Sequence, residues 1–381
     1  MDEEGHAAEA ARAAAATVTL ERVREAAAIL RGVAVRTPLL PFGEPLAGDP
    51  RGGTRAWLKP ESLQPIGAFK LRGAYYNIAT LSSEARARGV VAHSSGNHAQ
   101  GVARSARLLG VRAVIVMPSD APAVKVERVR ADGAGIVWVG PASEERARRA
   151  AELSLSEGLA QVAPYDDAAT IAGQGTVGLE IVEQVADLDA AAGKAMSSGR
   201  PVPGGDTAAA SSAAPRRPAA ATPLTVLVPV GGGGLAAGVA VAVKSLRPDA
   251  RVLGVEPELA ADARESFSRG KIVTWPSEMT GRTIADGQRV AHIGRIPFEL
   301  LRTRLDGVIA VGEDEIARAM VRAARDARLL LEPSGATTLA AWLFHSQEIP
   351  AAGRVVCILS GGNVDPALYA QLLDRGAAAG G

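Results

Sequence analysis

Four short segments carry the residues whose types and spacing could do chemistry. In Lys59-Pro60-Glu61-Ser62-Leu63-Gln64-Pro65-Ile66-Gly67-Ala68-Phe69-Lys70-Leu71-Arg72-Gly73-Ala74, one lysine follows an aromatic residue where a helix should begin. Desolvation and a helix N-terminus both disfavour an ammonium, so Lys70 meets the condition for an imine-forming amine. Taken alone it could equally be a solvated surface lysine. The second segment, Val90-Val91-Ala92-His93-Ser94-Ser95-Gly96-Asn97-His98-Ala99-Gln100-Gly101, reads as strand, polar turn and helix start. Its backbone N–H groups and hydroxyls could bind a carboxylate, although Ser and Asn are also ordinary helix caps and His98 could be a hydrogen-bonded core histidine. The third places Gly231, Gly232, Gly233 and Gly234 between the strand Val226-Leu227-Val228 and a helix, a phosphate cradle reinforced by the helix dipole. Gly232, Gly234 and Ala237 also satisfy G-x-G-x-x-A, with Glu256 about 20 residues on, so a dinucleotide site stays open here. The fourth, Ile358-Leu359-Ser360-Gly361-Gly362-Asn363, again runs a strand into glycines, where Ser360 could hydrogen-bond a ring nitrogen or merely close a tight turn.

The elements that must position these turns follow from apolar patterning. Short branched runs recur at Val90-Val91, Ala113 to Val116, Ile136 to Val139, Val226 to Val228, Val252 to Val255, Val308 to Val311 and Val355 to Leu359, and read as strands buried on both faces. Segments of helical length lie between them at Asn97 to Leu109, Ser143 to Leu155, Gly178 to Ala186, Leu235 to Leu246 and Asp314 to Arg328. Such alternation predicts an α/β fold with parallel sheets. With 381 residues, 47% of them hydrophobic, two domains are expected. A net charge of +1 provides no global field toward nucleic acid or an anionic membrane, which favours a small-molecule partner. The acidic start at Asp2, Glu3 and Glu4 lacks the features of a secretory signal, and no spanning helix is evident, so a cytoplasmic location is expected. Cys357, inside an apolar run, is expected to be a small buried hydrophobe. Residues 189–223, rich in Ala, Gly, Ser and Pro, read as a disordered surface insertion, and the residues after Asp374 as a frayed end.

In this order, the four segments resemble the fold-type II pyridoxal-phosphate enzymes, specifically the serine/threonine dehydratase and serine racemase group. The similarity covers roughly residues 17–375 without the insertion. A nicotinamide site would leave three of the four segments unexplained. The resemblance implies a tryptophan synthase β-like fold of two open twisted parallel-sheet domains with flanking helices. The large domain would comprise 17–74 and 167–375 and the small domain 75–166, with the site in the cleft. It further implies that Lys70 carries pyridoxal 5'-phosphate as a Schiff base and that Phe69 packs beside the ring. Asn97 would meet the ring hydroxyl, Gly231 to Gly234 the phosphate, Ser360 the pyridine nitrogen, and Glu332 would line the cofactor pocket. Ser94, Ser95, Asn97, His98 and Arg146 would face a small hydroxy-amino acid. The reaction implied is loss of water and ammonia from L-threonine or L-serine, by a homodimer.

Ser95 bears on the alternatives, because a hydroxyl opposite Lys70 could exchange a proton with Cα and permit racemisation. Serine racemases and hydroxyaspartate dehydratases of the group carry Ser there. Sulfide-dependent β-replacement shares the fold but is usually marked by other residues around the asparagine turn. In Glu256-Pro257-Glu258-Leu259-Ala260-Ala261-Asp262 the spacing resembles the group's divalent-cation site, with Glu256, the Ala260 carbonyl and Asp262 as hard oxygen ligands for Mg²⁺ or Ca²⁺. Ala68 departs from the serine most often found two places before the lysine, and Tyr165 looks more like the threonine-dehydratase version.

Overall fold

A computed structural model describes residues 3–43, 55–94, 96–121, 123–140, 143–198, 222–350 and 353–379. Among the described residues, ten strands form two sheets: β1 (Leu40–Phe42), β2 (Ala56–Pro60), β3 (Val90–His93), β4 (Ala113–Pro118), β5 (Gly135–Val139), β6 (Ala160–Gln161), β7 (Leu224–Pro229), β8 (Arg251–Pro257), β9 (Gly307–Val311) and β10 (Arg354–Leu359). The larger sheet has the order β1-β2-β10-β7-β8-β9 and the smaller β5-β4-β3-β6. Every pairing is parallel except β1 with β2. Helices cover both faces, as parallel sheets require, because each crossover returns over the sheet. This is the α/β architecture with parallel sheets that the alternation of elements predicts, in the two sheets that the resemblance implies.

All seven apolar runs lie in strands. β4 and β7 are buried along their whole length, whereas β5 is an edge strand whose Trp138 is half exposed, so burial on both faces does not extend to it. β2 was not foreseen, because Lys59 and Pro60 interrupt its apolar pattern; Lys59 is nonetheless fully buried in an ion cluster. Three other boundaries differ. The chain is organised before residue 17: the helix Glu3–Ala16 buries Ala11 and Ala15, and Arg12 pairs with Glu299. The segment starting at Asp189 is not disordered at its outset, because the helix Ala168–Ser198 runs through it and Asp189 pairs with Arg354 at 2.7 Å; residues 199–221 lie outside the described residues. Nor is the end frayed at Asp374. The helix Pro366–Ala378 continues past it, and Gly376 lies so close to the Ala317 carbonyl that a Cβ there would come within 2.5 Å.

The strand ends that carry the four segments converge. The helix Asn97–Leu109, which follows β3, packs on the helix Lys70–Ala79 at Gly101, where a Cβ would stand 3.1 Å from the Lys70 carbonyl oxygen. The chain ahead of Lys70 is zipped to the turn after β10: Phe69 N–H donates to the Ser360 carbonyl at 3.1 Å, and Gly362 N–H to that of Gly67 at 2.9 Å. Lys70 and Ser360 are neighbours for that reason, despite their separation in sequence.

Candidate active site

A cavity of about 200 Å³ opens where the C-terminal ends of both sheets meet, the usual place for a ligand in parallel α/β folds. It is lined by Phe69, Lys70, Ser94, Asn97, His98, Gly231, Gly232, Gly233, Gly234, Glu332 and Ser360 from the four segments and the Glu332 turn.

Lys70 is the first residue of its helix. Its Nζ donates to the Pro164 carbonyl at 2.7 Å and lies 5.1 Å from the centre of the Phe69 ring. Burial alone lowers its pKa to about 8, so the neutral amine is accessible near neutral pH. The helix Gly234–Leu246 starts without a side-chain cap, with Gly233 in the left-handed region at φ 86°. A Cβ at Gly233 would come within 2.8 Å of Pro297, one at Gly234 within 2.9 Å of the Tyr165 Cα, and one at Gly232 would collide with the Tyr165 ring. The strand-to-helix turn therefore admits only glycine at these places and presents bare N–H groups to the cavity.

The remaining wall is polar. Ser94 Oγ accepts from Gly96 N–H at 3.1 Å, tightening the turn ahead of Asn97. Asn97 Nδ2 donates to Glu332 Oε1 at 2.6 Å, while its Oδ1 accepts from Asn363 Nδ2 at 2.8 Å. Glu332 is pushed well above the usual carboxyl range, first by burial and then by the neighbouring charge of Asp286. The Ser360 hydroxyl donates to the Ser334 carbonyl at 3.2 Å. His98 Nε2 lies 2.8 Å from the Val162 carbonyl, which makes it the protonated nitrogen; burial and the charge of Lys70 lower its pKa to about 3, so the ring is neutral. Across the cavity, Lys125 Nζ pairs with Asp286 Oδ2 at 2.7 Å.

One predicted substrate-side residue is not brought to the cavity. Arg146, on the helix Ser143–Glu157, does not line it; burial first and then the charge of Arg146 lower the pKa of His93, and burial lowers that of Arg146 itself. Ser95 lies outside the described residues. Glu256, Ala260 and Asp262 are buried together at the end of β8, apart from the cavity lining. Glu256 accepts from the N–H groups of Ala263 and Arg264, whereas both carboxylate oxygens of Asp262 are buried without a hydrogen-bond partner. Both carboxyls are raised by burial, and the charge of Asp262 raises Glu256 further.

A family model described as pyridoxal-phosphate dependent enzyme matches residues 31–361. The chain belongs to this family. It is 38% identical over 323 residues to the L-threo-3-hydroxyaspartate ammonia-lyase of Saccharomyces cerevisiae, covering 85% of this chain and 87% of that one. It is 37% identical over 361 residues to the L-threonine ammonia-lyase of Thermotoga maritima, covering 94% and 79%. The structure of maize serine racemase superimposes with a TM-score of 0.78 at 35% identity, covering 95% of this chain and 98% of that one. The family activity is pyridoxal-phosphate-dependent dehydration or racemisation of small amino acids, and the dinucleotide alternative is set aside.

The cavity fits that cofactor on its own chemistry. An uncapped helix start among three glycines that exclude a Cβ suits a phosphate, a lysine of lowered pKa suits a carbonyl, and a serine hydroxyl suits a ring nitrogen. Sequence reasoning missed Lys125, Asp286, Gln288 and Val290 in the lining, because each sits in a segment with no chemical signature of its own, and passed over Ser334 beside Glu332. It also missed the buried cluster behind Lys70, where Arg72 pairs with Glu61 and Glu180, and Lys59 with Glu180. The only signal for that cluster was a charged Lys59 inside an otherwise apolar strand.

Proposed function

We propose that this chain is an L-threonine/L-serine ammonia-lyase, releasing 2-oxobutanoate or pyruvate with ammonia. The observation that carries the choice of substrate is the pairing of Lys125 with Asp286. Lys70 and Lys125 are the only lysine or arginine side chains lining the described cavity. With Lys125 neutralised, the lining offers no uncommitted cation for the second carboxylate of 3-hydroxyaspartate, whereas Phe69, Tyr165, Leu235 and Val290 provide apolar surface for a methyl group.

The residues are proposed to act as follows. Lys70 holds the cofactor, Gly231 to Gly234 its phosphate, Asn97 the ring hydroxyl and Ser360 the ring nitrogen, with Phe69 and Glu332 along the ring. Pyridoxal phosphate, when bound, supplies an electron sink for the carbon next to the substrate amine. Ser94 and the backbone N–H groups of Asn97 and His98 receive the substrate carboxylate at the N-terminus of the helix Asn97–Leu109, while the neutral His98 ring keeps its one N–H on the Val162 carbonyl. Lys70 Nζ, released when the substrate amine replaces it, would take the Cα proton, and burial keeps its pKa low enough for the amine to act as a base. Ser95 would work on the opposite side of the substrate, and its competence there decides between lyase and racemase. The domains are proposed as 17–74 with 167–375 and as 75–166, in a homodimer. Mg²⁺ or Ca²⁺ is proposed at Glu256, the Ala260 carbonyl and Asp262, supported by the two unpartnered oxygens of Asp262.

Incubation with L-threonine, L-serine and L-threo-3-hydroxyaspartate tests the proposal, with oxo acid and amino-acid chirality as readouts. Higher kcat/KM for threonine or serine is expected. Preference for hydroxyaspartate, dominant racemisation or sulfide-dependent cysteine formation would each replace it with the corresponding relative's activity.

A further inference from the structure

An asparagine amide can occupy its site in two orientations that exchange a donor for an acceptor, so whichever neighbours have fixed polarity decide what it presents. Asn97 touches two side chains. Glu332 cannot decide, because a buried carboxyl raised by burial and by Asp286 offers both a hydroxyl donor and a carbonyl acceptor when protonated. Asn363 can.

Asn363 is held at both ends by groups that have only one hydrogen-bonding sense. Its Oδ1 accepts from Arg128 Nη1, and a guanidinium only donates. Its Nδ2 donates to the Ile66 carbonyl at 2.7 Å, and a carbonyl only accepts. The amide of Asn363 therefore cannot turn. Its Nδ2 also faces Asn97, 2.8 Å from Oδ1. With that oxygen fixed, Nδ2 of Asn97 must lie toward Glu332, with one N–H held there and the second left for the cavity.

We infer that Asn363 is a positioning residue, which sets the sense of the Asn97 amide so that a donor faces the hydroxyl on the cofactor ring. This rests on the proposed role of Asn97 as the partner of that hydroxyl. The series runs between the two halves of the molecule. Arg128 belongs to the helix Ala123–Ala131 between β4 and β5, Asn363 follows β10, Asn97 follows β3, and Glu332 precedes the helix Pro333–Phe344. The donor is thus presented only while the two sheet domains are apposed, which ties the state of the ring hydroxyl to their contact.

The test compares the purified holoenzyme with Asn97→Ala, Asn363→Asp, Asn363→Ala and Asn97→Ala/Asn363→Ala. Asn363→Asp keeps the shape but cannot donate to Asn97 or Ile66, and Asn363→Ala removes the donor without adding charge. Three properties are read: the visible absorption band of the bound cofactor, the affinity of the apoprotein for pyridoxal phosphate by titration, and the thermal midpoint of the apoprotein. Asn97→Ala and both Asn363 variants should move the band in the same direction and weaken cofactor binding by roughly tenfold, about the weight of one hydrogen bond. The double variant should be no weaker than Asn97→Ala, since Asn363 acts through Asn97. If Asn97→Ala leaves band and affinity unchanged, the proposed role of Asn97 is wrong. If Asn97→Ala changes them while both Asn363 variants keep the wild-type band, the inference about Asn363 is overturned by itself. A lowered apoprotein midpoint with the wild-type band gives Asn363 a structural role only and overturns it equally.

Discussion

Arg72→Met removes the guanidinium from the buried cluster two residues beyond Lys70. Arg72 grips Glu61 with two bonds, Nε to Oε2 at 2.8 Å and Nη2 to Oε1 at 2.9 Å, and reaches Glu180 through Nη1 at 2.7 Å. Glu61 is fully buried, and the Glu180 side chain is 14% exposed. In the wild type, two cations, Lys59 and Arg72, balance two carboxylates. In Arg72→Met, Lys59 alone faces both. Glu61 keeps only its bonds from Thr37 Oγ1 and Gln64 Nε2. Breaking a buried pair from one side costs about 3–5 kcal/mol, a large share of the roughly 5–15 kcal/mol that holds a typical domain folded. Urea unfolding of the apoprotein measures it. Arg72→Met/Glu61→Gln, which restores neutrality, should recover most of the loss. The pH dependence gives a second check. Burial by itself would raise Glu61, and Arg72 holds it below the ordinary value; without Arg72 its folded pKa should rise above the unfolded one. Such a group stabilises the fold at low pH and loses that contribution as pH rises through the folded pKa, so the defect should be smaller at pH 5 than at pH 8. A loss below about 1 kcal/mol, or one that does not vary with pH, would refute the claim that Arg72 is the charge balancing Glu61.

Three further outcomes are expected. Asp286→Asn frees Lys125 from its 2.7 Å partner, so the ratio of kcat/KM for 3-hydroxyaspartate over threonine should rise; an unchanged ratio means that Lys125 does not read the substrate side chain. Gly232→Ala forces a methyl group into the Tyr165 ring, and titration of the apoprotein should show weaker binding of pyridoxal phosphate together with a lowered urea midpoint; wild-type affinity would remove the turn from the phosphate site. His345 is raised to about 9 by its bond to Glu315, despite partial burial, with Glu348 adding to the effect. A raised folded pKa stabilises fully below the unfolded value and is lost as pH rises through about 9, so His345→Gln should destabilise more at pH 6 than at pH 9.5, as followed by urea midpoints.

The cavity wall was legible where chemistry coincides with local pattern. Three of the apolar runs end in the turns of Ser94, Gly231 and Ser360, which meet because parallel strands deliver their C-terminal ends to one side, and the Lys70 segment joins them through its hydrogen bonds to the turn after β10. Residues that act through tertiary contact were not legible. Lys125 and Asp286 meet only because two sheets face each other, and Asn363 could be read as part of a glycine turn but not as the partner of Asn97. Lys59 shows the limit from the other side. A lysine and a proline interrupt β2, so pattern reading lost a strand that the buried carboxylate of Glu180 makes possible. The early helix, Glu3–Ala16, was overlooked because alanine alone gives little amphipathic contrast, although its buried alanines pack closely.

Lys70 as the residue that holds the cofactor is tested most directly by the visible spectrum of the purified protein before and after borohydride, followed by mapping of the modified peptide, beside Lys70→Ala. The wild type should show a cofactor band that borohydride bleaches, with the label fixed on Lys70, and the variant should lack the band. A band that persists in Lys70→Ala with the same maximum, or a label found on another lysine, would contradict the assignment.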